Sequence, residues 1–502
     1  MIDQSILVLD EGTTSTRAML FAQDGALRGV EQADLTQHYP RSGWVEHDAA
    51  EIWSKTLHCA RAMMEKAGGA ARIAAIGITN QRETVVAWDR ATGEPLSRAI
   101  VWQDRRTADI CARMKAAGHE DTVRAKTGLL LDPYFSGTKM RWLLENEEAV
   151  ADAAKGGRLA LGTVESWLVW KLTAGRNHVT DASNASRTLL LALDGADWDA
   201  DLCDLFQVPM AALPAVADSA GELARTHEDL FDGVIPICGM AGDQQAATIG
   251  QGCLAPGQTK ATYGTGAFIL ANTGTQVPSS DHRLLGTVLY QLEGKRHYAI
   301  EGAVFVAGSL VKYLRDTLGL IETAAETEGL ARSIPNSGGV VIVPALSGLG
   351  APHWQPDARG MIAGLGFDTG RAHIARAALE AMAHQTHDLA GAFAADGCEW
   401  TGLRIDGGMA VNDWMAQDIA DLLNLPVTRP DFVETTALGA AMLAAVGCGM
   451  KADLDEAART MIGATRRFEP EMDDAVRQQR LARWSDAIAR VRPLPDQRTA
   501  KA

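Results

Sequence analysis

Three short stretches of this chain combine glycine with hydroxyl or carboxylate side chains directly beside an apolar run. The first, Asp10-Glu11-Gly12-Thr13-Thr14-Ser15-Thr16-Arg17, follows Ile6-Leu7-Val8-Leu9 and leads into Ala18-Met19-Leu20-Phe21, which reads as strand, tight turn, strand. Such a turn presents backbone N–H groups and hydroxyls to phosphate oxygens, and Arg17 adds positive charge. Asp10, leaving the strand just before the turn, offers the hard oxygens that magnesium takes directly or through water. The second stretch, Tyr263-Gly264-Thr265-Gly266 within 259–271, is a matching hairpin. The third, Asp406-Gly407-Gly408-Met409, follows the apolar run 403–406, and its glycines let a ligand approach the backbone closely. Taken singly, each is an ordinary solvated turn. The chain has no Gly-x-x-x-x-Gly-Lys-Ser/Thr loop, no Gly-x-Gly-x-x-Gly fingerprint, and neither His-Arg-Asp nor Asp-Phe-Gly, so any nucleotide must be held another way.

The elements that must position these turns alternate in type. Buried-strand patterns occur at 6–9, 73–79, 84–88, 234–238, 339–344 and 403–406, and helical patterns at 49–66, 138–147, 303–318, 373–394 and 414–423. Alternation of this kind predicts an α/β protein whose sheets are covered on both faces. A length of 502 residues exceeds what one core supports, so two domains are expected, 1–250 and 251–502. A Gly/Thr hairpin near the start of each half suggests a duplicated architecture. The formal charge of -16, with no Lys/Arg run, argues against nucleic acid or an anionic membrane as partner. The seven scattered cysteines read as reduced thiols. No basic leader and no stretch of 18 apolar residues is found, so a cytoplasmic protein without stable membrane insertion is expected.

In their order along the chain, the three turns resemble the phosphate 1, phosphate 2 and adenosine motifs of the actin, hexokinase and Hsp70 superfamily. Within it, Tyr134-Phe135-Ser136-Gly137-Thr138-Lys139-Met140-Arg141-Trp142-Leu143-Leu144-Glu145-Asn146 resembles the first signature of the FGGY carbohydrate kinases. Gly360-Met361-Ile362-Ala363-Gly364-Leu365, continuing through His373-Ile374 to Ala377-Ala378-Leu379-Glu380, resembles the second. The resemblance spans about 6–449. It implies two actin-like (ribonuclease H-like) domains, each a mixed sheet flanked by helices, with the active site in the cleft between them. It also implies ATP and Mg2+ as cofactors, closure of the domains on substrates, and assembly as a homodimer or homotetramer.

Further segments are similar to the glycerol-phosphorylating branch of that family: Gly43-Trp44-Val45-Glu46-His47-Asp48, Gly77-Ile78-Thr79-Asn80-Gln81-Arg82-Glu83-Thr84, Trp102-Gln103-Asp104-Arg105-Arg106-Thr107, Asp132-Pro133-Tyr134-Phe135-Ser136-Gly137-Thr138-Lys139 and Gly242-Asp243-Gln244-Gln245-Ala246. By that resemblance Arg82, Glu83, Tyr134, Asp243 and Gln244 hydrogen-bond the hydroxyls of glycerol, and Trp102 and Phe268 pack against its carbons. Their chemistry is consistent: Arg82 and Gln244 donate, Glu83 and Asp243 accept, and Tyr134 does both. Asp243 is the expected base for the attacking hydroxyl and, with Asp10, the expected metal contact. ATP contacts map to Thr13, Thr14, Ser15 and Arg17, to Thr265, to Gly308 and Lys312, and to Met409 and Asp413. Plainer readings stand beside these. Asp243 suits a helix N-cap, Arg82-Glu83 an exposed ion pair, and the aromatics a simple core. His384 and His387 lack a third ligand and receive no role.

The chain departs from the family at named positions. Glu11 stands where Gln is common, which puts an extra carboxylate beside the phosphates or in solvent; Lys312 replaces a frequent Gln; Glu165 replaces Asp behind the site. Where some members carry a Gly-Gly-Lys-Gly-Gly-Thr-Arg loop for fructose 1,6-bisphosphate, this chain reads Thr226-His227-Glu228-Asp229-Leu230-Phe231-Asp232-Gly233, too acidic to trap phosphate. No activating phosphorylation is expected at His227. Three other functions remain open at this point: a sibling kinase for xylulose, gluconate, ribulose or erythritol, an actin- or Hsp70-like ATPase without a phosphoryl acceptor, and a catalytically weakened regulatory paralogue suggested by Glu11.

Overall fold

The computed structural model describes residues 4–355 and 357–491. Strand Ser5–Glu11 is buried at every position, because one side of its sheet is covered by helix Ala49–Ala67 and the other by helix Thr435–Gly447. It pairs antiparallel with Ser15–Phe21 and parallel with Ile73–Asn80. The full sheet has six strands, in the order Ala220–Arg225, Pro236–Gly242, Ile73–Asn80, Ser5–Glu11, Ser15–Phe21, Leu27–Asp34. Helix Ala49–Ala67 begins where Asp48 accepts hydrogen bonds from the Ala50 and Glu51 N–H groups, and it ends at Gly68, whose φ of 90° a side chain would strain.

A second sheet of seven strands repeats this plan. Its order is Leu285–Leu292, Lys295–Val304, Ala267–Gly274, Gln258–Tyr263, Gly402–Asp406, Val427–Pro430, Thr465–Phe468. In both sheets a hairpin is followed outward by an antiparallel third strand on one side, and by two parallel strands and an antiparallel edge on the other. The architecture is therefore duplicated: two mixed sheets, each flanked by helices. A smaller sheet has four strands in the order Glu46–His47, Ala99–Ile100, Val85–Asp89, Leu159–Thr163.

Two helices meet where the halves join. Helix Asp243–Gly250 lies across helix Thr435–Gly447, which belongs to the second half by sequence yet packs on the first sheet. Their backbones touch: a Cβ on Gly250 would stand 1.9 Å from the Thr435 carbonyl oxygen, and one on Gly439 would stand 1.8 Å from that of Ala246. Glycine is the side chain this crossing admits.

One expected element is corrected. The stretch 303–318 is not a single helix: Ala303 and Val304 close strand Lys295–Val304, opposite Phe268 and Ala267, and helix Gly308–Asp316 starts only after a turn. Pairing with a distant strand overrides the local helical pattern. Strand 234–238 is shifted to Pro236–Gly242, with Val234 left exposed, and 339–344 shrinks to Val341–Val343. The seven cysteines are unpaired, and no helix among the described residues is long and apolar enough to cross a membrane.

Candidate active site

The turn of the first hairpin is pinned through its acceptors. Gly12 N–H donates to the Ser15 carbonyl (3.0 Å), Leu35 N–H to that of Thr14 (2.8 Å), and the side-chain amides of Gln37 and Gln81 to those of Thr13 (2.7 Å) and Gly12 (3.1 Å). What the loop has left to present is hydroxyl and N–H donors, as an anion requires. Thr14 is exposed, and Thr13 and Ser15 are half-buried. Indole Nε1 of Trp102 donates to Thr13 Oγ1 at 2.9 Å, so the expected polyol wall and phosphate turn are bonded to each other.

Arg17 is less free than its sequence position suggests. Its guanidinium donates to Asp10 Oδ2 at 2.5 Å and to Glu434 Oε2 at 2.7 Å, so two carboxylates match its charge. Glu434, immediately before helix Thr435–Gly447, was not legible from local sequence. Glu11 also corrects the expectation. It lies neither beside the phosphates nor in solvent but fully buried beneath the hairpin, where Thr16 and Thr56 both donate to Oε1 and Oε2 has no partner among the described residues. Burial lifts its pKa to about 8, against the pull of the two hydroxyls.

The second hairpin, the start of helix Gly308–Asp316 and the turn after strand Gly402–Asp406 form one assembly. Gly308 N–H donates to the Gly264 carbonyl (2.8 Å), Ala307 N–H to that of Thr265 (2.9 Å), and Met409 N–H to that of Tyr263 (3.1 Å). A Cβ on Gly308 would come within 2.6 Å of the Gly264 oxygen, and one on Gly407 within 2.5 Å of the Tyr263 oxygen. Thr265, Gly308 and Met409 are thus brought together, and Lys312 stands exposed about one turn along the helix. Asp413 is not similarly free: its carboxylate is held by Arg429 (3.0 Å) and Arg466 (2.5 Å). A cavity of about 340 Å³, lined by Asp406, Gly407, Val411, Arg429, Asp431 and Val433 among others, lies at the carboxyl ends of parallel strands Gly402–Asp406 and Val427–Pro430. Ligands of open α/β sheets bind in that position.

Between the sheets lies a buried charge cluster. Arg82 donates to both oxygens of Glu301 (2.7 and 3.2 Å) and contacts Asp243 Oδ1 at 3.3 Å and the Tyr134 hydroxyl at 3.4 Å. Glu83, held at φ 62°, accepts from Arg187 Nε at 2.6 Å. Arg82 and Glu83 are 3% and 1% exposed, and their own charged atoms stand 3.9 Å apart, so the exposed-pair reading is overturned. Burial pushes the Glu301 carboxyl up, but Arg187 and Arg82 outweigh it and hold the pKa at about 2. Tyr134 meets Trp102 edge-to-face at 5.7 Å. Phe268, half-buried, stands two positions along the same sheet face from Leu270, the strand partner of Glu301.

Asp243 is the first residue of its helix, and Gly242 takes the cap position instead. Its carboxylate accepts the Gln244 N–H at 2.7 Å and stays 35% exposed toward the cleft. Desolvation by the cleft walls raises its pKa, while Arg82 and Lys260 pull it down; the charge of Asp10 adds to the rise, so the two carboxylates sense each other. This pair fits a magnesium ion that takes one or two protein carboxylates and completes its shell from phosphate and water. No cage of three or more acidic, histidine or cysteine ligands occurs among the described residues. Glu165 lies behind the site, where it accepts from Thr163, Thr180 and Asn80, and burial lifts its pKa to about 7. His384 stacks on Trp484, ring centroids 5.0 Å apart.

The model of the FGGY family of carbohydrate kinases, N-terminal domain, matches residues 5–250, and that of the C-terminal domain matches 259–448. The chain belongs to the FGGY family of carbohydrate kinases. This FGGY kinase is 52% identical to the glycerol kinase of Methylobacterium nodulans, over 98% of its own length and 99% of that protein's. It is also 52% identical to the glycerol kinase of Rhodospirillum centenum, over 97% and 98%. Among solved structures, glycerol kinase from Plasmodium falciparum with ADP superposes at a TM-score of 0.93, with 34% identity over 98% of this chain and 99% of that one.

Sequence reasoning missed four members of this FGGY kinase's cleft: Glu301, Arg187, Lys260 and Glu434. Two carried a signal. Glu301 and Lys260 are charged residues inside apolar strand patterns, and charges there are almost never buried unless paired.

Proposed function

We propose that this protein transfers the γ-phosphoryl group of ATP to a terminal hydroxyl of glycerol, releasing ADP and sn-glycerol 3-phosphate. The single observation that carries the reading is the array of Arg82, Glu83, Tyr134, Asp243 and Gln244 beside Trp102, which sets hydrogen-bond donors and acceptors next to an aromatic wall. The names of the similar proteins support the same substrate.

Asp243 accepts the proton of the attacking hydroxyl. Its pKa is raised from the ordinary carboxylate value, which brings a base closer to its working range. Arg82 cannot drift, because Glu301 grips it through two bonds, and it keeps one edge toward Asp243 and Tyr134. The first hairpin offers Thr13, Thr14 and Ser15 to the phosphates, and the second offers Thr265, with Gly308 and Met409 beside it. Magnesium, when bound, supplies positive charge to the phosphate oxygens; Asp10 and Asp243 are the residues that would hold it. Arg17 acts first by fixing Asp10, and Asp413 by fixing Arg429. Consumption of ATP supports a cytoplasmic location, and we expect a homodimer or homotetramer in solution.

The test is ADP formation from Mg-ATP with glycerol, dihydroxyacetone, xylulose, ribulose, gluconate and erythritol, beside Asp243→Asn. Strong dependence on glycerol is expected, with a loss of about 10²–10⁴-fold in the variant. Preference for another sugar would overturn the substrate, and hydrolysis indifferent to every polyol would overturn the reaction.

A further inference from the structure

Lys260 is fully buried in strand Gln258–Tyr263, and the reaction above gives it no part. Its Nζ donates to Gln244 Oε1 at 2.7 Å. Gln244 is the second residue of helix Asp243–Gly250; its main-chain N–H donates to Asp243 and its main-chain oxygen accepts from Thr248. The side-chain amide is therefore the part of Gln244 that can turn, and an amide has two unlike ends: an acceptor oxygen and a donor NH2. A lysine ammonium has only donors. Whatever it bonds must turn the oxygen toward it. Burial draws the Lys260 pKa down, while the charges of Asp406 and Asp243 oppose this and favour the ammonium form.

We propose that Lys260 is a positioning residue for polyol specificity: by holding Gln244 Oε1, it commits the Nε2 donors of that amide to the cleft beside the Asp243 carboxylate. The site then offers one acceptor and one donor side by side. A hydroxyl that gives its proton to Asp243 fits next to one that gives a lone pair to Gln244, which is the pattern of two adjacent alcohol groups. Without Lys260 the amide is free to flip, and its oxygen beside Asp243 would leave two acceptors side by side and no donor for the lone pair of the second hydroxyl. The inference rests on the glycerol kinase reading.

The experiment is a double-mutant cycle on the full chain with Lys260→Met, Gln244→Ala and both together, reading KM and kcat for glycerol and the affinity for ADP. Wild-type turnover of glycerol tests the parent reading separately, before any variant is compared. Lys260→Met should raise the glycerol KM about 10-fold, as for loss of one hydrogen bond near a charge, and leave ADP affinity within about 2-fold. In the Gln244→Ala background the same change should move KM less than about 2-fold. Equal effects in both backgrounds would overturn the proposal. Gln244→Glu is the second arm and needs no change at Lys260. It keeps an acceptor for the ammonium but has no donor for the cleft, so it should lose glycerol affinity at least as far as Gln244→Ala. A Gln244→Glu protein with the wild-type KM would refute the assigned orientation even if Lys260→Met failed to fold.

Discussion

Replacing Glu11 by Gln should stabilise this protein, by an amount that depends on pH in a defined way. Glu11 is completely buried, and its folded pKa is raised from 4.5 to about 8 by that burial. Between these values the unfolded chain has lost the proton and the folded chain still holds it, so stability falls as pH rises. At about 1.36 kcal/mol per pKa unit, the penalty at pH 7 is about 3 kcal/mol, approaching about 5 kcal/mol above pH 8. Gln has the same shape and no charge to desolvate, and its amide can bond the Thr16 and Thr56 hydroxyls that now donate to Oε1. Parallel denaturation of wild type and Glu11→Gln from pH 4.5 to 9 should give a stability difference near its minimum at the acid end, rising through neutrality and flat beyond pH 8. A difference that does not change with pH would show that Glu11 is already ionised in the folded protein and would refute the reasoning.

Gly439→Ala should destabilise by at least about 3 kcal/mol, since its Cβ would stand 1.8 Å from the Ala246 oxygen and two helices would have to separate; an unchanged melting curve would count against the described crossing. Trp102→Phe keeps an aromatic wall but loses the bond to Thr13 Oγ1, so the KM for ATP should rise about 3- to 10-fold while that for glycerol moves less. The opposite split in initial rates would mean that the indole serves the polyol alone. Millimolar fructose 1,6-bisphosphate should leave the initial rate unchanged, because Glu228 and Asp229 in the Glu228–Leu230 turn and nearby Asp232 set negative charge against a phosphate; strong inhibition would reverse this.

The parts of the fold legible in sequence were those whose signal is local. Ile6-Leu7-Val8-Leu9 before a Gly/Thr turn identifies a strand and a hairpin without any knowledge of what packs on them, and Asp48 before 49–66 marks a helix start. Helix Thr435–Gly447 escaped because it is apolar on nearly every face; a helix buried all round shows no 3.6-residue alternation to read. The 303–318 stretch misled for the opposite reason, since its local pattern is helical but its first residues find a strand partner at 267–268. In the candidate site, the residues carried by family motifs fall together in space. Their partners do not announce themselves: Arg82 meets Glu301, and Arg17 meets Glu434, hundreds of positions away, so the balance of charge was invisible along the chain.

The crossing of helix Thr435–Gly447 onto the first sheet bears on how the protein is made. Strand Pro236–Gly242 completes that sheet, yet the helix that covers one of its faces is translated about 200 residues later. At roughly 5–20 residues per second, the ribosome leaves an apolar face open for roughly 10–40 seconds. The first half must therefore wait, partly uncovered, for a segment of the second, and a fragment ending at residue 250 should be held by chaperones or aggregate rather than fold. Late arrival of one apolar helix ties the two halves into a single act of synthesis, which forbids their exchange as independent modules.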